Sequence, residues 1–253
     1  MVRDSLGRSF SFPEPPRRVV SLVPSITETL FDLGAGETVI GITDFCIFPE
    51  SMERPRLGGT KNPDVQAIRA LAPDLVHMNL EENLERHARE IESFAPVFVS
   101  EPKSTGDVSA LITNLGGVHG CAARAAAIVA ELRTELQQMP QDLFTFACPI
   151  WKKPWMWCGG DTYVSNLVGM AGGLNILQER ARYPAIELPS VVAMRPNVIF
   201  LPDEPYAFRT SDAQELSRAS DARVIGPFPG HLFTWHGTRT IQGLRFLREI
   251  LRN

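Results

Sequence analysis

His231 and His236 bracket the hexapeptide H-L-F-T-W-H and are the two of the five histidines that stand close in the chain; His77, His87 and His119 are dispersed. Two imidazoles at that spacing can ligate a metal, but no carboxylate lies close in sequence to complete the set. A surface or hydrogen-bonded role suits each of them better. The four cysteines, Cys46, Cys121, Cys148 and Cys158, form no C-x-x-C pair and are too few and too widely spaced for a disulfide scaffold, so they read as buried or half-buried free thiols. Gly34-Ala35-Gly36 lacks the third glycine of a dinucleotide fingerprint and follows a helix pattern instead of opening one, and no phosphate loop, G-x-S-x-G elbow or H-E-x-x-H helix occurs. Catalysis has no sequence motif here, and no intrinsic cofactor is expected. What the chain concentrates instead is aromatic surface. W-K-K-P-W-M-W-C-G-G (151–160) holds three of the four tryptophans, and Phe45, Phe48, Phe233 and Trp235 fall in expected loops, where turn chemistry explains prolines and glycines but not large rings.

These residues must be positioned by something, and the rhythm of the chain is β-α-β. Val19 to Val23 is a short apolar run ending at Pro24, followed by Ser25-Ile26-Thr27-Glu28, which fits a capping box, and by a helix stopped at Gly34. Strands are expected at 38–43, 74–78 and 96–100. One helix follows Asn62 as cap and Pro63 at its first position, and another runs from about Leu84 to Phe94. Residues 121–138 contain neither Gly nor Pro and predict one uninterrupted helix of about five turns, about 27 Å long. A second series follows. It comprises a strand at 144–150, a helix from Thr162 to Met170, a helix opened by Ser190, a strand at 197–201, a helix opened by Ser211 with Gln214 closing a capping box, a strand at 223–228, and a last helix from about Arg239 to Leu251. A-L-A-P-D-L-V-H-M (70–78) and A-M-R-P-N-V-I-F-L (193–201) echo one another, which favours two similar α/β lobes: an N-terminal lobe over 1–118, a connecting helix over 119–139 and a C-terminal lobe over 140–253.

Composition narrows the partners. With 44% apolar and 21% charged residues in 253, the chain can bury an ordinary globular core, and no apolar run approaches the ~18 residues of a membrane span. The net charge of −4 comes with scattered Lys and Arg, so nucleic acid is not an expected partner. The first residues, M-V-R-D-S-L-G-R-S-F-S-F-P, lack the apolar region of a secretory signal. Localisation is therefore cytoplasmic if Met1 is the true start, and periplasmic or extracytoplasmic if a leader was removed or lies upstream.

V-V-S-L-V-P-S-I-T-E-T-L-F-D-L-G-A-G, then I-G-I-T-D-F-C, then G-G-T-K-N-P-D with A-P-D-L-V, together resemble the cobalamin-binding and ferric-siderophore-binding proteins of ATP-binding cassette importers, the helical-backbone metal-receptor group. The resemblance runs through nearly the whole chain. It implies two Rossmann-like lobes with parallel-sheet cores joined by one long α-helix, a ligand cleft between the lobes, and no catalysis. The implied ligand is a bulky metal chelate, cobalamin or another corrinoid first and a ferric siderophore or haem next, held by a chain expected to be a monomer. Carried over by position, Pro24, Ser25 and Glu28 fall at the first strand-to-helix joint, Phe45 and Phe48 at aromatic cleft positions, Trp155 and Trp157 at the second lobe's strand end, and Trp235 and Arg239 in the last cleft loop; Arg239 equally suits the start of the last helix. Trp155 and Trp157, two positions apart, are expected on opposite faces of an extended piece, one packing on its own lobe and one facing ligand. The resemblance implies an ABC permease and ATPase as partners; Glu85 matches the acid that docks the first lobe to the permease, whereas L-F-T-W-H-G in the second lobe carries no acid. The alternative from another class is a cytoplasmic tetrapyrrole- or metal-handling enzyme or chaperone on the same fold, using His231 and His236.

Overall fold

A computed structural model describes residues 2–140 and 142–252. The chain divides into two compact units. One comprises the chain up to Pro102, Gly106–Glu131 and His236–Thr238; the other comprises Lys103–Thr105, Leu132–Trp235 and the chain from Arg239 onward.

In the first unit a small hairpin, β1 (Val2–Arg3) with β2 (Ser9–Phe10), precedes the sheet. Then come β3 (Val19–Ser21), α1 (Pro24–Asp32), β4 (Val39–Ile42), α2 (Val65–Ala70), β5 (Leu75–Asn79), α3 (Glu85–Glu92), β6 (Val97–Ser100) and α4 (Thr105–Val118), and α5 (Ala122–Leu136) runs on into the second unit. The strands lie in the order β4-β3-β5-β6, all parallel. Being covered on both faces, they read as unbroken apolar runs: β5 is buried at all five positions. Val20, Val76 and Val97 from the strands pack with Ile68 of α2 and Ile91 of α3.

The second unit carries β7 (Phe144–Ala147), the hairpin strands β8 (Pro149–Trp151) and β9 (Met156–Trp157), α6 (Tyr163–Gly169), β10 (Gly173–Asn175), α7 (Leu188–Ala193), β11 (Val198–Pro202), α8 (Thr210–Ala219), β12 (Arg223–Phe228), α9 (His231–Thr234) and α10 (Arg239–Arg252). Its sheet order, β10-β7-β11-β12, again all parallel, repeats the first unit's order of second, first, third, fourth.

The sequence echo marks equivalent joints. Ala72 (φ 44°) and Arg195 (φ 53°) hold the left-handed turn after α2 and α7. Next, Asp74 accepts hydrogen bonds from the backbone N–H groups of Arg17 (2.9 Å) and Arg18 (3.0 Å), while Asn197 Oδ1 accepts from Thr145 N–H (2.7 Å). In each unit a short polar side chain thus ties the start of the third strand to the start of the first.

Several helix starts differ from the sequence expectation. Val23, extended at φ −138°, is the N-cap of α1, Pro24 occupies its first position, and Ser25 makes no cap. Asp64 rather than Asn62 caps α2, its carboxylate accepting from Ala67 N–H at 2.9 Å. Glu187 and Arg209, not Ser190 and Ser211, precede α7 and α8; at the latter it is Asp212, not Gln214, whose carboxylate reaches back to the N-cap N–H. Thr162, expected as the first residue of its helix, is the N-cap of α6, accepting from Ser165 N–H, and Gly34 (φ 84°) follows the end of α1. The long central helix is α5, 15 residues and about 22 Å, shorter than expected. Gly120 (φ 69°) separates it from α4, whose glycines and β-branched residues hide a helix held by the buried Val108, Ile112 and Leu115.

Candidate ligand-binding site

In open parallel sheets the ligand crevice lies outside the carboxyl ends of the strands, where the strand order reverses. Here that point falls between β3 and β5 in the first unit and between β7 and β11 in the second.

At the β3/β5 point the polar groups satisfy one another. Asn79 Oδ1 accepts from the backbone N–H groups of Glu81 (2.8 Å) and Glu82 (3.2 Å), which fixes its amide so that Nδ2 donates to His236 Nε2 at 3.3 Å. His236 Nδ1 then carries the proton and donates to Ser25 Oγ at 3.2 Å. Burial holds this imidazole neutral, with its pKa lowered to about 4. Thr238 N–H donates to Thr29 Oγ1 (3.2 Å), and Gly237 (φ 80°) lies so close that a Cβ there would sit 2.2 Å from the same oxygen. Segment 236–238 is thereby seated on α1, whose residues Pro24 through Leu30, Glu28 included, are buried. Of the two histidines that stand close in the chain, His236 has both ring nitrogens engaged in hydrogen bonds, and His231 falls in the other unit. Among the described residues no three His, Cys, Asp or Glu side chains cluster to hold a metal ion. Ser25 likewise presents its hydroxyl to His236.

The ends of β4 and β5 instead expose apolar surface. Phe45 is 58% exposed, with Ile47 at 49% and Leu80 at 43%, and Phe48 is half-buried. Phe45 is held out by its neighbours: Cys46 Sγ lies 3.2 Å from both Thr27 Oγ1 and Thr43 Oγ1, and Arg56 donates to the carbonyls of Thr43 (2.9 Å) and Cys46 (2.7 Å). A Cβ at Gly59 would come within 3.2 Å of the Phe45 ring, so the glycine makes room for it.

In the second unit the tryptophan segment folds as the β8–β9 hairpin. Trp155 lies in the turn that leads into β9, and the expected split between Trp155 and Trp157 does not occur. The two rings stack at 5.5 Å and 22°, Phe208 continues the stack at 6.0 Å from Trp155, and the Trp157 indole N–H donates to Ile186 C=O at 2.8 Å. Both are buried, Trp157 completely, in a cluster with Leu177, Val191 and Leu201. Lys152 lies over Trp155 and is paired with Asp212 (2.5 Å) and Glu215 (2.7 Å). The tryptophan that reaches solvent is Trp151, 42% exposed, its ring meeting Tyr206 edge-on at 5.3 Å. Trp151 follows β7 and Tyr206 follows β11, so this pair marks the switch point of the second sheet.

Trp235 is nearly buried, 5.7 Å from the His231 ring, and hydrogen-bonds Glu204, whose carboxyl is raised by burial. Arg239 opens α10, buried, with Nη1 donating to Gln242 Oε1 at 2.6 Å. Glu85 opens α3 on the surface and pairs with Arg89 at 2.6 Å. Sequence reasoning reaches Trp151 only as part of the 151–160 aromatic segment, and does not reach Ile47, Leu80 or Tyr206. The signal for Tyr206 is present, a ring in D-E-P-Y immediately after an apolar strand.

Residues 19–219 match the family described as periplasmic binding protein. The chain belongs to that family. Among relatives of this periplasmic binding protein is the ABC transporter substrate-binding lipoprotein YvrC of Bacillus subtilis, 23% identical, with 98% of this chain and 84% of YvrC aligned. A vitamin B12-binding protein of Vibrio campbellii is 24% identical over 74% of this chain and 70% of its own. In fold, the chain matches the periplasmic vitamin B12 binding protein BtuF of Vibrio cholerae with a TM-score of 0.78 at 18% identity, covering 95% of this chain and 98% of BtuF. It also matches the periplasmic heme-binding protein RhuT of Roseiflexus sp. RS-1 with a TM-score of 0.77 at 21% identity, covering 92% and 97%. These relatives and neighbours are binding proteins, not enzymes.

Proposed function

We propose that this protein captures a bulky metal chelate, a corrinoid first and a ferric siderophore or haem next, for import by an ABC transporter. The observation that carries the reading is the placement of exposed aromatic and aliphatic side chains at the carboxyl ends of the parallel strands: Phe45, Ile47 and Leu80 in the first unit, Trp151 and Tyr206 in the second. Rings on a rigid frame give large contact area at small entropic cost, which suits a flat or bulky ligand with much apolar surface. The names of the B12- and haem-binding relatives support the same ligand class.

In this account Phe45 and Phe48 supply apolar ligand-facing surface in the first unit, and Trp151 with Tyr206 does so in the second. Trp155 and Trp157 belong to the buried cluster against which Tyr206 packs, Ser25 holds His236, and Pro24, Glu28, Trp235 and Arg239 are the further candidate residues. Delivery of this kind takes place outside the cytoplasm, and Glu85 on the exposed start of α3 is the acid offered to a permease. No helix among the described residues is long and apolar enough to cross a membrane.

Cobalamin and hemin absorb visible light, so gel filtration after mixing provides a test. Visible absorbance should co-elute with wild-type protein and fall in Phe45→Ala and Trp151→Ala variants that melt normally. A chelate that co-elutes equally with both variants would remove these surfaces from the site.

A further inference from the structure

Cys148 and Cys158 are both completely buried, and they stand opposite one another at the base of the β8–β9 hairpin. The antiparallel register pairs Pro149 with Trp157, which places Cys148 across from Cys158, and the Cys158 N–H donates to the Cys148 carbonyl at 2.9 Å. Directly opposed residues of an antiparallel pair have Cα atoms about 4.5–5.5 Å apart, inside the range a disulfide spans. The two thiols are neighbours in that the Cys158 side chain is the first cause that pushes the Cys148 thiol up, while Cys148 Sγ donates to the Pro149 carbonyl at 3.9 Å.

The surrounding backbone fixes this arrangement. Asn175 Nδ2 donates to the Cys158 carbonyl (3.0 Å), and the next two N–H groups, of Gly159 and Gly160, donate to Arg182 (2.8 Å) and Arg180 (2.9 Å) carbonyls. A Cβ on Gly159 would lie 2.2 Å from Arg180 O, so the chain after Cys158 has no room to shift. Cys148 directly follows β7 of the central sheet.

We infer that Cys148 and Cys158 form a disulfide that staples the hairpin carrying Trp151, given a low-molecular-weight disulfide such as oxidised glutathione. The Cys148 thiolate attacks one sulfur of that oxidant and releases one glutathione thiolate, giving a mixed disulfide. Cys158 then loses its proton and attacks the Cys148 sulfur, displacing the second glutathione; two protein thiols are oxidised and one small disulfide is reduced to two thiols. In the folded protein the neighbouring Cys158 side chain and burial both hold the Cys148 thiol protonated well above its usual range. The bond therefore forms while the hairpin is open during folding, before the tryptophan core closes over it. This inference is independent of the ligand proposal.

The test is to refold the full chain from denaturant in a mixture of reduced and oxidised glutathione, alkylate the remaining thiols, digest with trypsin and map peptides without reduction. Trypsin cleaves after Lys152, so the two cysteines fall in separate peptides. The expected result is a joined peptide lighter by two hydrogens than the sum of its reduced halves, with Cys46 and Cys121 recovered alkylated. Recovery of Cys148 and Cys158 as separate alkylated peptides from protein with native tryptophan fluorescence would overturn the inference. A Cys121→Ser variant, changing a half-buried thiol outside the hairpin, should give the same joined peptide; loss of that peptide in the variant would equally overturn it.

Discussion

Trp151 and Trp157 differ by six positions and by their whole function in this account. Trp157→Ala should cost about 3–5 kcal/mol, because it empties a fully buried site and orphans the Ile186 carbonyl. Trp151→Ala should cost about 0.5 kcal/mol while reducing chelate affinity, and urea unfolding followed by tryptophan fluorescence separates the two. Sequence alone located the aromatic cluster but not this division, since which ring a hairpin buries depends on its register, and register is set by partners such as Phe208 and Ile186 far along the chain. The histidines make a second prediction. His119 and His236 are each lowered from 6.5 to about 4, chiefly by burial. The unfolded chain then binds more protons than the native one between those values, so stability is full above pH 6.5 and falls as pH drops towards 4, by about 3 kcal/mol for each histidine. A melting temperature that declines across this window, and declines less in His119→Gln, is the expected outcome; a flat profile would contradict the buried neutral state.

At the scale of elements, the strands were legible because each central one is a continuous apolar run, whereas the helix starts were not. Ser25, Asn62, Ser190 and Ser211 all have capping chemistry, yet Val23, Asp64, Glu187 and Arg209 take the cap positions, because the extended residue before the first turn is chosen by how the strand delivers the chain. Removing the real cap should show this: Asp64→Ala is expected to cost about 1 kcal/mol and Asn62→Ala less, measured by chemical unfolding. Glu135, near the end of α5, carries a larger load. It is 6% exposed and accepts from Arg245 at 2.7 Å and Arg248 at 2.6 Å on α10; against the upward push of burial, those bonds keep its carboxyl low. Glu135→Ala leaves Arg248 without its carboxylate partner and should destabilise the second unit by about 3 kcal/mol.

Over the whole molecule, two units with the same strand order place two sets of exposed apolar side chains at equivalent sheet ends. The echo between 70–78 and 193–201 revealed this duplication in the sequence, and its physical basis is the Asp74 and Asn197 side chains that lock third strand to first. The site was legible as loops rich in aromatic residues but not in detail, because residues such as Leu80 gain meaning only from the strand end that exposes them. Isothermal titration with cobalamin, cobinamide, hemin and a set of ferric siderophores tests the central claim most directly. At least one of these chelates should bind saturably to wild-type protein and more weakly to Trp151→Ala; absence of heat with every chelate, from protein that is folded and monodisperse, would contradict the account.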